Sequence, residues 1–152
     1  MTGLTRIRLK PDTSGAVVYK PSSESDDFTQ GWWDDAIQGF EPSQHFYAFF
    51  DGQHEVVRVE IEVQDILNPE YEQPQHPGPY AVIRFFEVSE EHRRKGYGTE
   101  VVQLIVDRYL GMTLVAFSQD ADKFWASLGW ERYEHAAEPE NHRPMFVGET
   151  GS

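Results

Sequence analysis

The sequence has no cysteine, so neither a disulfide framework nor thiolate chemistry is open to it, and it reads as a cytoplasmic protein. Basic residues are scarce: 13 Lys and Arg against 26 Asp and Glu leave a formal charge of -13. That is the wrong sign for a surface that tracks phosphates, so no nucleic-acid partner is expected. An amine-bearing partner suits it better, although an acidic surface is in the first place a solvated one. There is no apolar run long enough to cross a bilayer, and the opening MTGLTRIRLKPD alternates and turns polar too soon for a signal peptide, so no membrane partner is expected either. His45, His54, His76, His92, His135 and His142 show no metal-ligand spacing and read as surface or loop residues, so no metal is expected. G-x-S-x-G, P-loop and dinucleotide fingerprints are absent as well.

What is present centres on residues 81–111, AVIRFFEVSEEHRRKGYGTEVVQLIVDRYLG. Ala81 to Val88 is rich in β-branched and aromatic residues and reads as a central strand, interrupted at Arg84. From Thr99 the period changes: Val101, Val102, Ile105, Val106 and Tyr109 fall at helical spacing. The helix is predicted to start near Tyr97 or Gly98 and to stop at Leu110, before Gly111. Between strand and helix lies Arg93-Arg94-Lys95-Gly96-Tyr97-Gly98. Glycine there allows positive φ and a close approach to a ligand, and first-turn N–H groups have no partner inside the helix. With the helix dipole and three cations, the turn is an anion site suited to a pyrophosphate.

Arg93-x-x-Gly96-x-Gly98 resembles the Gln/Arg-x-x-Gly-x-Gly/Ala signature of the GNAT superfamily of acyl-CoA-dependent N-acyltransferases, in the same place between strand and helix. A second block, Ala121-Asp-Lys-Phe124-Trp125-Ala-Ser-Leu128-Gly129-Trp130, resembles the family's later A-x-x-F-Y-x-x-L-G-F segment. The resemblance covers roughly residues 46–147. It implies one α/β domain over 1–152, with a mixed, twisted sheet, helices on both faces and a splay between the central strand and a strand at 112–117. An acceptor-side region would lie at 1–45 and an acetyl-CoA-binding core at 80–130. It implies acetyl-CoA as cofactor, with pantetheine on the backbone of Glu87 and Val88 and pyrophosphate on Arg93, Arg94, Lys95, Gly96, Tyr97, Gly98 and Thr99. Tyr97 reads equally as a packing residue. The implied activity is acetyl transfer to a primary amine of a small molecule or peptide, and the family often forms homodimers.

The remaining elements follow in order. Leu4 to Lys10 and Ala16 to Lys20 read as strands. Asp27 to Phe40 reads as a helix, with Trp32 and Trp33 as acceptor-site candidates. Phe46 to Phe50 and Glu55 to Val63 flank a hairpin at Asp51-Gly52-Gln53-His54; the second strand alternates, with Val57, Val59, Ile61 and Val63 toward a core and Arg58, Glu60 and Glu62 toward solvent or a pocket. Asp65 to Pro79 is a long loop, either a flap or disordered. Met112 to Phe117 reads as a strand, and Ser118 to Leu128 as a helix capped by Ser118, with Ala121, Phe124, Trp125 and Leu128 turned inward. Trp130 to His135 and Pro144 to Val147 close the fold as strands.

The chemistry departs from the family pattern in two places. The usual acid, the tyrosine of F-Y, is Trp125, whose indole N–H is no acid near neutral pH; Ser118, Tyr133, Tyr47 or a water would replace it. The positions that often carry the base are Arg84 and Val82, which leaves Glu60 and Glu62 as candidates working through water. Arg84 within an apolar strand needs a carboxylate, from an adjacent-strand glutamate or from a substrate that Arg84 binds. A non-catalytic acyl-CoA-binding module therefore stands beside the enzyme reading.

Overall fold

The computed structural model describes residues 4–9, 11–12, 18–19, 28, 44–118 and 121–148. The strands are β1 (Leu4–Leu9), β2 (Pro11–Asp12), β3 (Val18–Tyr19), β4 (Gln44–Asp51), β5 (His54–Gln64), β6 (Tyr80–Val88), β7 (Thr113–Phe117), β8 (Glu131–Tyr133) and β9 (Met145–Gly148). Helix α1 is Tyr97–Arg108 and helix α2 is Asp122–Ser127, with 3-10 turns at Glu90–His92 and Pro139–Asn141. Hydrogen-bonded neighbours run β1-β4-β5-β6-β7-β9-β8, with β2 and β3 as a separate pair. The sheet is mixed: β6 and β7 are parallel, while β1 with β4, β7 with β9, and β8 with β9 are antiparallel. The chain divides into two compact units, 1–61 with 86–102, and 62–85 with 103–152.

In the first unit β4 and β5 form the expected hairpin, and the core includes Phe46, Phe49, Val57, Val59 and Ile61, all fully buried. The polar face of β5 departs from its expectation. Residues 55–61 are buried on both faces, and Arg58 and Glu60 are each 4% exposed. Burial is tolerable for Arg58 because Glu55 accepts from its Nε at 2.8 Å and its Nη2 at 3.2 Å, and the Phe28 ring lies 4.1 Å from its Cζ. The predicted helix at 27–40, with Trp32 and Trp33, lies outside the described residues apart from Phe28.

In the second unit the core gathers Leu67, Tyr71, Tyr80, Val82, Val115, Met145 and Val147. Two of these belong to the long loop at 65–79, which is therefore packed. Tyr71 bridges to His135, and Gly78 has no room for a side chain, since a Cβ there would lie 2.6 Å from the carbonyl oxygen of Asp65. The β6–β7 register runs from Tyr80↔Thr113 to Ile83↔Ala116, one residue short of the end of β7, while β6 continues to Val88.

Helix α1 starts where predicted and ends two residues early. Val101, Val102, Ile105 and Tyr109 are buried, while Leu110 is exposed and Gly111 turns the chain at φ 88°. Helix α2 is shorter than the predicted 118–128 and begins at Asp122. Of its expected inward stripe only Trp125 is buried, 4.9 Å from Trp130 and 5.0 Å from Phe124 between ring centroids.

Candidate functional site

The turn between β6 and α1 lies wholly in the first unit and is tied down at several points. Ser89 is buried; its N–H donates to the Val56 carbonyl at 2.8 Å, and its Oγ lies 2.6 Å from His92 Nδ1. Arg93 folds back onto the strand: Nε donates to the Val88 carbonyl at 3.1 Å, and Nη2 is 3.6 Å from Oε2 of the buried Glu87. The Tyr97 hydroxyl donates to Asp51 Oδ2, and its ring stands edge-on to His92 at 5.8 Å. Asp51 accepting that proton raises the Tyr97 pKa above the ordinary tyrosine value. Tyr97 is thus an anchor.

Between these anchors the backbone takes left-handed conformations at Arg94, φ 64°, and Gly96, φ 85°. No described atom lies within 4 Å of where a Gly96 Cβ would stand. The first intrahelical bond at this end runs from the Glu100 N–H to the Gly96 carbonyl at 3.2 Å. The N–H groups of Tyr97, Gly98 and Thr99 precede it, where an α-helix supplies no carbonyl. Arg94, Lys95 and Thr99 are exposed beside them. The Glu100 carboxylate shares this turn, with Oε2 buried and unpartnered among the described residues, and its charge offsets part of the cationic field. An open glycine surface, N–H donors at a helix start and flanking cations fit a diphosphate.

The acid and base candidates divide between the two units. Glu60 is buried on β5 in the first unit. In the second unit, Glu62 accepts from Arg84 Nη1 at 3.1 Å and from Gln64 Nε2 at 2.7 Å, so an adjacent-strand glutamate is the partner of Arg84. Ser118 is 1% exposed; its Oγ accepts from the Ala121 N–H at 3.2 Å and donates to Asp122 Oδ1 at 2.6 Å, but the N-cap of α2 is Ala121 and not the expected Ser118. The Tyr133 hydroxyl donates to Glu131, which pushes its pKa up to about 12, and Tyr47 is buried. No described group of His, Asp and Glu has the arrangement of a metal site. His135 lies in a loop but is buried, 7% exposed, and stacks on His142 at 3.9 Å.

One feature of the second unit escaped the sequence reading, a cavity of about 410 Å³ lined in part by Gln64, Asn68, Tyr71, Arg84, Phe117 and Arg143. Arg143 Nη1 donates to the Arg84 carbonyl at 3.2 Å, and its Cζ stands 5.2 Å and 5.6 Å from the Phe85 and Phe117 ring centroids. The Tyr71 hydroxyl donates to the Arg143 carbonyl at 2.6 Å. These residues come from separated segments, and only Arg84, conspicuous in an apolar strand, gave a signal.

A model of the acetyltransferase (GNAT) family matches residues 16–130, starting earlier and ending earlier than the resemblance read from the motifs. No curated protein sequence gives a significant match. Among solved structures, the Bacillus subtilis N-acetyltransferase YlbP in complex with coenzyme A is similar at 17% identity and TM-score 0.55, covering 68% of this chain and 66% of that one, just under two thirds of its length. AtaTR bound with AcCoA is similar at 13% identity and TM-score 0.66, covering 97% and 94%. The KacTA–DNA complex is similar at 12% identity and TM-score 0.58, covering 97% and 93%. At these identities the likeness is one of fold.

Proposed function

The chain belongs to the GNAT acetyltransferase family, and from that premise we propose that it moves the acetyl group of acetyl-CoA to a primary amine of a small molecule or peptide. The observation that carries this reading is the turn from Arg93 to Thr99, with its left-handed Arg94 and Gly96 ahead of α1. In the proposal the N–H groups of Tyr97, Gly98 and Thr99 take the pyrophosphate, and Arg94 and Lys95 screen its charge. The backbone at Glu87 and Val88 takes the pantetheine arm. Arg93 acts indirectly, holding the turn to the end of β6 through the Val88 carbonyl and Glu87. The bound thioester supplies an activated acyl group and a thiolate leaving group.

For the amine proton, Glu62 is the better placed of the two glutamates, because Glu60 is almost wholly buried whereas the Glu62 side chain is 22% exposed. It would draw the proton through water while paired with Arg84. Ser118 is the weaker part of the proposal, since its proton is already given to Asp122. That commitment, with Tyr133 pushed to about 12, favours a second reading, an acyl-CoA-binding module without turnover.

Free-thiol release from acetyl-CoA against amino acids, polyamines, aminoglycosides and peptides separates the two. Release that depends on one acceptor supports the enzyme; tight acetyl-CoA binding with no release across the panel supports the binding module. The proposed setting is cytoplasmic, with a homodimer as the assembly that the family suggests. No described helix is long and apolar enough to cross a membrane. The charge of -13 supports a partner other than nucleic acid, and a DNA or RNA gel shift would overturn that part.

A further inference from the structure

Resting on the acetyltransferase reading, we propose that Asp51, at the tip of the β4–β5 hairpin, is a positioning residue for the cofactor turn: it holds Tyr97, and through Tyr97 the N–H groups that open α1, where they meet the diphosphate. All the residues concerned belong to the first unit. Both ends of the segment from Ser89 to Tyr97 are tied to that one hairpin. At the start, the Ser89 N–H donates to the Val56 carbonyl of β5 at 2.8 Å. At the other end the Tyr97 hydroxyl donates to Oδ2 of Asp51, the last residue of β4 and 46 residues away in sequence. His92 stands between the two ties. Its Nδ1 lies 2.6 Å from Ser89 Oγ, and its ring centroid is 5.8 Å from that of Tyr97 and 5.9 Å from that of His54, the first residue of β5. Gly52, at φ 63°, turns the hairpin directly behind Asp51.

The turn needs such ties. Arg94 sits at φ 64°, a left-handed conformation that a residue with a side chain keeps only where its surroundings fix it. Tyr97 is also the first residue of α1, so the direction of its hydroxyl and the direction of the first N–H groups are set together. The bond joins an exposed Asp51 to a half-buried Tyr97, and solvent screens its worth to the stability of the whole protein. What it restricts is local. Counted as a charge alone, the Asp51 carboxylate repels a diphosphate, and removing it would tighten cofactor binding. Counted as the acceptor that fixes Tyr97, its removal loosens the donors and weakens binding. The two roles have opposite signs.

Calorimetric titration of the full chain with coenzyme A, beside the melting temperature, tests this. Asp51→Ala and Tyr97→Phe are each expected to bind about threefold to tenfold more weakly at a melting temperature close to the parent's. The double variant should bind no more weakly than the weaker single one, because both changes remove the same bond. Asp51→Asn keeps an oxygen acceptor without the charge and is expected to bind within about twofold of the parent. Asp51→Ala binding as tightly as the parent or more tightly, or Asp51→Asn falling as far as Asp51→Ala, overturns the proposal. Trypsin cleavage after the exposed Arg94 and Lys95, read by mass spectrometry, follows the turn without cofactor. It should be faster in Asp51→Ala and Tyr97→Phe than in the parent and Asp51→Asn, and equal rates in all four would also overturn the proposal. If the parent chain binds no coenzyme A, the acetyltransferase reading falls, and the tryptic comparison alone decides whether Asp51 holds the turn.

Discussion

Gly98 and Tyr133 show how much single residues decide. Gly98 lies inside the first turn of α1, so Gly98→Ala avoids the strain that Gly96→Ala would incur at φ 85° and gains helix propensity. Its methyl group would project where the diphosphate is placed. We expect a melting temperature no lower than the parent's and roughly tenfold weaker coenzyme A binding, about 1.4 kcal/mol; equal affinity in a folded variant would move the pyrophosphate elsewhere. Tyr133 holds its proton more tightly when folded than when unfolded, because Glu131 accepts its hydrogen bond. Its contribution to stability is therefore complete below about pH 10, the ordinary tyrosine value, and is lost as pH rises through about 12. Phenolate absorbance of the parent minus that of Tyr133→Phe should titrate near 12, and a difference curve centred near 10 would contradict the Glu131 bond.

Strand β5 and helix α2 carry the predictions that belong to elements. Arg58 is held inside β5 by Glu55 and Phe28, and removing one partner of a buried pair leaves an uncompensated charge. Arg58→Ala should cost about 3–5 kcal/mol by urea unfolding; a loss below about 1 kcal/mol would mean that the pair is effectively solvated. In α2, Trp125→Phe should cost roughly 1–3 kcal/mol through lost packing on Trp130 and leave acetyl-CoA binding intact. A collapse of binding or turnover with normal folding would make Trp125 a functional residue.

These elements also mark where the sequence was legible. Hairpin, central strand and α1 could be read because period and turn chemistry are local, and Arg84 announced its need for a carboxylate because an apolar strand cannot hold a bare guanidinium. The buried polar face of β5 could not be read. Alternation says that a face differs, but not what lies over it, and Phe28 stands far away in sequence. The shortness of α2, whose N-cap is Ala121 and not Ser118, was not legible, and only Trp125 of the apolar stripe is buried.

At the scale of the molecule, the first unit carries the turn to which the cofactor is assigned, and the second carries a cavity of about 410 Å³. The turn was readable because its glycines, cations and helix start are contiguous. The cavity was not, because its walls come from β5, β6, β7, the loop at 65–79 and residues 141–143, which only tertiary structure assembles. Calorimetric titration of the parent chain with acetyl-CoA tests the role of the turn. One site per chain is expected, with a dissociation constant on the order of micromolar to tens of micromolar, within the usual range for enzyme substrates, weakened by competing inorganic pyrophosphate. Absence of binding in the folded protein, or binding that pyrophosphate leaves untouched, would contradict it.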